Sequence, residues 1–491
     1  MARAGRRQSR RTHLALKTVP GVVALACAAM QTPANAIELA ASGFASDWAA
    51  TMNGTAAHTN WRAADRAIVE ARNAQLSFAA ALAALNADAW QVGQAAPRAA
   101  WWGRGALPHP ADEGVELTWF GGTGDWSVAA NWSPSGGPPG AADTAIVNAG
   151  DAQLGSAATI GAFRLGGGQV SGSGHLAVSG ASQWTGGAHY GTGISDYNGE
   201  LAITGASDKN LGGGRVLNVV DTTWSGNTAA NNNRIRFTGA TINNNGTWND
   251  ANAYDAYTYS YSGSNAFNNV GTYNKLGNAT TTMNVAYSNT GTTNVDAGTF
   301  TLTSAFTNEG LIRAAAGATF VGSNAAFVNA GILSGDGTIA THAGGDIVND
   351  GGAIAPGSSG IGHLSIGGAL VNAASGKLNF ELASLSSFDT LAVSDGVTLG
   401  GEIGVWNLGY VPVLGDSFVV MTFAEQIGSN PFDSVGVYGF APGTEFSVTY
   451  NLHDVTLTVS AVAAVPEPQS AALLLAGLGL LGFVAARRRA A

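Results

Sequence analysis

One five-residue pattern recurs along the middle of the chain: an apolar residue, a variable one, Asn, a variable one, then Gly. It stands at Ile242-Asn244-Gly246, Phe267-Asn269-Gly271, Tyr287-Asn289-Gly291, Phe306-Asn308-Gly310, Phe327-Asn329-Gly331 and Ile347-Asn349-Gly351. A degenerate copy follows at Leu370 and Asn372, where the Gly is lost. Successive Asn residues lie 25, 20, 19, 21, 20 and 23 positions apart. A period near 20 with short strands of alternating Thr, Val, Ile and Phe predicts a parallel β-solenoid with one coil per repeat. The coils should run continuously from about 150 to 400, with these Asn residues in one axial file. Their amides would then hydrogen-bond from coil to coil. Gly is expected to supply positive φ at a coil corner. Residues 218–294 hold eighteen Asn, more than one ladder uses, so the surplus is expected in exposed turns.

Other patterns flank this region. From Thr59 to Val92 the periodicity predicts a helix: Thr59 or Asn60 can cap it, and Ile68, Leu76, Phe78, Leu82 and Leu85 share one side. Gly93 and Pro97 end it, and residues 37–110 are read as a helical or spacer segment without chemistry of its own. The first 36 residues have the three parts of an export signal. These are a basic start from Arg3 to Lys17, an apolar run from Val19 to Met30, and Ala34-Asn35-Ala36 as the cleavage site. Ser9-Arg10-Arg11-Thr12-His13-Leu14 also resembles a twin-arginine signal, with His13 where that family has Phe.

The C-terminus reads Val465-Pro466-Glu467-Pro468, then an apolar stretch from Ala471 to Ala486, then Arg487-Arg488-Arg489. Sixteen helical residues would span about 24 Å, and snorkelling arginines can make up the difference from a bilayer core of about 30 Å. A transmembrane helix is therefore expected, its basic end cytoplasmic. The order of Pro-Glu-Pro, apolar helix and arginine cluster resembles the PEP-CTERM sorting signal of Gram-negative bacteria. That resemblance implies an exosortase-type membrane protease as partner, the inner membrane during transit, and delivery to the cell surface, commonly in bacteria that make exopolysaccharide.

A second resemblance is more diffuse. Trp119-Phe120-Gly121-Gly122-Thr123-Gly124-Asp125-Trp126, Asn131-Trp132, the repeats, and Gly352-Ala353-Ile354-Ala355-Pro356-Gly357 with His363-Leu364-Ser365-Ile366 look similar to autotransporter passengers. The similarity covers roughly 119–460 and speaks to fold. Only the apolar stretch follows, so self-transport through an eight-stranded barrel is not expected. Together these readings give an all-β, right-handed parallel β-solenoid at 119–460, a short N-terminal helical segment and a C-terminal transmembrane helix in the sorting signal at 465–491.

Composition narrows the function. Charged residues make up 11% of the 491 residues and Gly contributes 69, a profile unlike a helical cytosolic enzyme. Residues 37–486 keep 13 basic residues against 32 acids, a net charge of −19, which argues against a nucleic-acid partner. The one cysteine, Cys27, lies in the export signal, so disulfides and thiolate sites are not expected in the mature chain. Trp119, Trp126 and Trp132 fall within fourteen residues. They either plug the first coil or offer a sugar-stacking platform, which makes Trp126 and Trp132 candidate glycan contacts.

No catalytic site is expected. The eight histidines are scattered, and the repeat core from Gly277 to Ala374 has one basic residue, Arg313, where a lyase or glycosidase would need carboxylates on one face. Gly335-Asp336-Gly337 and Gly344-Gly345-Asp346 with Asp350 resemble calcium-binding turns, but out of register, so no metal or other cofactor is expected. The expected function is an exported structural or adhesive surface protein associated with extracellular polysaccharide, with a glycan-binding module as the alternative.

Overall fold

The computed structural model describes residues 114–462, except 231–232, 324–326, 343–344, 359 and 429–430, together with Leu478 and Leu480. The expected export signal and the helix over 59–92 lie outside the described residues, as does the C-terminal membrane helix apart from Leu478 and Leu480, which are helical. No helix among the described residues is long and apolar enough to cross a membrane.

Three files of parallel strands build the solenoid. One file stacks fifteen strands, from Glu116–Trp119 through Thr272–Lys275 to Ser434–Tyr438. At about 4.8 Å per step this is a stack about 67 Å long. The second file carries the repeat: Ile242 pairs with Phe267, Phe267 with Tyr287, and Tyr287 with Phe306. The third belongs to a separate sheet, running from Thr123–Asp125 to Ser417–Thr422. Burial alternates along nearly every strand, so that Ile242, Phe267, Trp248, Tyr273 and Phe300 point into one continuous apolar core. Period-2 alternation on three sides encloses that core and leaves Thr, Ser and Asn outside.

The six expected Asn residues form one file, extended by Asn372: each pairs in register with the next from Asn244 to Asn372. From Asn244 to Asn349 every Nδ2 donates to the Oδ1 one coil on, at 2.7 to 2.8 Å. Most rungs also donate to a main-chain carbonyl, as Asn269 does to Thr292 at 2.8 Å and Asn289 to Leu311 at 3.1 Å. The ladder begins where Val219 faces Asn244, and the Asn244 Oδ1 is left without a hydrogen-bond partner.

Gly in the repeat has a different cause from the expected one. Gly246, Gly271, Gly291, Gly310 and Gly331 do not take positive φ. Instead a Cβ on any of them would fall well under 3.0 Å from the carbonyl oxygen stacked beneath it, that of Val220 for Gly246 and of the preceding corner Gly for the rest. Close approach of backbone to backbone, not turn conformation, excludes a side chain. Only Gly351, at the end of the series, has φ of 78°.

The surplus Asn also departs from expectation. Two ladders run along the outside: Asn268 donates to Asn243, Asn243 to Asn218 and Asn218 to Asp196, while Asn294 donates to Asn274 and Asn274 to Asn249. Both donate toward the N-terminus, opposite to the inner ladder. Thus several Asn side chains that pattern alone assigns to turns are strand residues paired across coils.

At each end of the stack one of the three files is capped by antiparallel strands. Trp132–Ser133 pairs with the first strand, Trp119 opposite Trp132. At the other end Ser417–Thr422 pairs with Asp454–Ala461, which pairs with Glu445–Tyr450. Such closure covers strand edges that would otherwise template association.

Candidate functional site

The tryptophans point inward. Trp126 is 3% exposed and Trp132 2%, their rings lie 4.7 Å apart in an edge-on contact, and the Trp132 Nε1 donates to the Trp126 carbonyl at 2.8 Å. Trp119 completes the cluster against Trp132 at 5.2 Å. Neither candidate glycan contact presents a ring face to solvent, so the stacking platform is corrected to a plug. Among the described residues the first coil has no neighbour on one side, and an open core there requires large apolar side chains. Trp184 and Trp224 are likewise wholly buried.

Of the acids singled out in the sequence, Asp336 and Asp350 occupy coil corners, as does Asp296, while Asp346 opens the strand Asp346–Asn349. Asp296 pairs with Arg313, Asp350 accepts from the Ser375 hydroxyl, and the Asp336 Oδ1 accepts the His363 amide at 3.1 Å. Among the described residues no group of three His, Cys, Asp or Glu is placed to hold a metal ion.

Inside the solenoid lie polar groups that pattern did not reveal. His189 is wholly buried and hydrogen-bonds the Tyr197 hydroxyl at 3.1 Å and the Ser195 hydroxyl at 3.5 Å. Burial, with the nearby Arg215 guanidinium, pushes His189 down to about 3. Arg215 itself donates to the carbonyls of Tyr190 and Gly174, at 3.0 and 3.2 Å. A few coils on, Asp250 accepts from the Tyr273 hydroxyl at 3.0 Å and the Thr281 hydroxyl at 2.5 Å. These groups are shut away from solvent, so they serve the core.

The outer side of the third strand file is different. Tyr190, Tyr259 and Tyr261 are 42%, 46% and 72% exposed, and the last two rings lie 6.2 Å apart. Register aligns Ala188, Asn210, Arg236 and Tyr259 in one outward column, and Tyr190, Gly212, Thr238 and Ser262 in the next. A bulge between Phe237 and Thr238 leaves Tyr261 without a partner, which pushes its ring outward. Arg234 grips Asp208 at 2.9 and 3.0 Å, and Arg236 reaches the same carboxylate at 2.6 Å. Two cations thus share one acid. Residues 190, 208, 236 and 259 are too far apart in sequence for any motif to join them, and only the coil register does so.

The last described strand ends at Ala461. Val465, Pro466, Glu467 and Pro468, with Arg487, Arg488 and Arg489, lie outside the described residues, as do Ala34 and Ala36. Residues 464–489 match the PEP-CTERM protein-sorting motif. The chain therefore carries the C-terminal signal of an exported protein handled by exosortase. Three residues separate Ala461 from Val465, so the Val-Pro-Glu-Pro run begins almost directly after the last described strand. No curated protein matches the chain.

Proposed function

We propose that this protein is a non-catalytic structural or adhesive rod of the cell surface, released or transferred there by exosortase cleavage at its PEP-CTERM motif, and in contact with extracellular polysaccharide. The observation that carries the reading is the junction of an unbroken stack of coils with a sorting motif that starts three residues after its last described strand. A stack held by strand pairing and an amide ladder resists extension along every coil, which suits a scaffold. The corner acids Asp296, Asp350 and Asp336 are engaged by Arg313, Ser375 and the His363 main-chain amide, an arrangement that favours turn support over acid–base chemistry. The exposed Tyr259 and Tyr261 favour the contact with sugar, because aromatic faces suit pyranose rings.

Pro466 and Pro468 favour extended backbone that a protease can grip. Changing Pro466 and Glu467 to Ala in the natural host is expected to leave an uncut, membrane-retained precursor with its solenoid folded. Mass determination after fractionation decides it: wild-type surface protein that still carries Arg487 to Arg489 would overturn cleavage and leave a permanent anchor.

A further inference from the structure

We propose that the outward face around Tyr259, Tyr261 and Arg236 is a binding site for an anionic polysaccharide, one built of carboxylate-bearing pyranose rings. The proposal rests on the reading that this protein meets extracellular polysaccharide, and it names the place and the chemical class. Three features converge. First, the bulge at Tyr261 turns two neighbouring rings to solvent on one strand. The following strand, Thr280–Met283, pairs only with the first part of the Tyr strand, from Ala256 to Thr258. Tyr259 and Tyr261 therefore stand on a ledge beyond the end of the next coil's strand.

Second, the ledge continues backwards as a shallow floor. Gly212 separates Thr238 from Tyr190 in the outward column, and a Cβ on Gly212 would lie 2.8 Å from the Tyr190 ring. The Tyr190 ring thus rests along the floor that Gly212 keeps low. Tyr190 and Tyr259 are three coil steps apart, about 14 Å, a span that several linked sugar rings cover.

Third, the charge is of the opposite sign to the rest of the molecule. Arg164, Arg313 and Lys377 each face an acid of their own, Glu116, Asp296 and Glu402. Arg234 and Arg236 share Asp208 alone. Arg234 holds that carboxylate through two nitrogens, whereas Arg236 commits one terminal nitrogen. The remaining N–H groups of Arg236, beside Tyr259 in register, are placed to bind a ring carboxylate while the tyrosines stack on the ring. The acidic remainder of the surface is screened beyond about 10 Å at 0.1 M salt, so the local cation excess decides the sign of ligand.

The test is native affinity electrophoresis of the purified full-length chain in gels containing polygalacturonate, dextran, or the host's own extracellular polysaccharide. Wild-type protein is expected to be retarded more by polygalacturonate than by dextran. Tyr259→Ala with Tyr261→Ala should weaken retardation by both polymers at least about tenfold, near 1.4 kcal/mol. Arg236→Gln should remove the preference for the anionic polymer and keep weaker binding. All three side chains are at the surface, so unchanged thermal unfolding serves as the control for fold. Wild-type retardation by dextran alone, or equally by both, overturns the anionic class. Variants that bind like wild type overturn the site while the polysaccharide reading stands. No retardation in any gel, the host's polymer included, overturns both.

Discussion

Asn308 donates its Nδ2 to the Oδ1 of Asn329 across 2.7 Å, and its own Oδ1 accepts the Asn289 amide at the same distance. Each inner rung is thus both donor and acceptor, and the two ends are unequal. Asn308→Ala strands the Asn329 acceptor and removes the partner of the Asn289 donor, which should cost about 2 to 5 kcal/mol. Asn244→Ala removes a side chain whose Oδ1 already lacks a partner and should cost clearly less. Chemical denaturation of the two variants compares them, and equal losses would show that the ladder is not cooperative.

Gly310 tests the corner. A Cβ there would meet the Gly291 carbonyl, whereas Gly155 has nothing within 4 Å of its own Cβ position and does not take positive φ. Gly310→Ala should lower the thermal midpoint strongly, while Gly155→Ala should be neutral or slightly stabilising by restricting the unfolded chain. Similar midpoints for both variants would mean that the stacked corners yield easily.

Phe327 and Phe306 hold equivalent places in the repeat, with rings 5.3 Å apart, yet Phe327 is 2% exposed and Phe306 only partly buried. Phe327→Ala should cost about 3 to 5 kcal/mol, and Phe306→Ala distinctly less. Urea titration measures both. A larger loss at Phe306 would place the core's centre on the wrong residue.

His189 predicts a pH dependence. Held down to about 3 in the fold by burial and near 6.5 when unfolded, it takes up its proton far more readily in the unfolded chain. Stability should therefore be complete above pH 6.5 and fall as the pH drops toward 3, by at most about 1.4 kcal/mol per unit from this group. His189→Gln should flatten that slope. Unfolding scans across the window that give the same slope for both proteins would exclude His189 as its source.

The inner ladder was legible because its spacing equals the coil and its position in the strand never changes from Asn244 to Asn349. The role of Gly310 and its equivalents was not, since positive φ and close approach both select Gly and differ only in three dimensions. Trp126 and Trp132 carry no sign of direction in a stretch rich in turns, so plug and platform read alike. Tyr259 and Arg236 escaped notice because insertions between coils vary in length, and only pairing brings the two side by side. His189 and Asp250 sit at inward strand positions where pattern calls for apolar residues, and the hydroxyls of Tyr197 and Tyr273 make their burial tolerable.

The ladder's rung-by-rung symmetry also makes length an adjustable quantity. Between Asn269 and Asn329 every coil receives one amide bond from the coil before and hands one to the coil after. Deleting or duplicating a whole coil there rejoins donor to acceptor and leaves the tryptophan plug and the terminal hairpin untouched. Unequal recombination between neighbouring repeats would then lengthen or shorten the molecule in steps of about 4.8 Å, giving a lineage a way to tune its reach without reinventing either end.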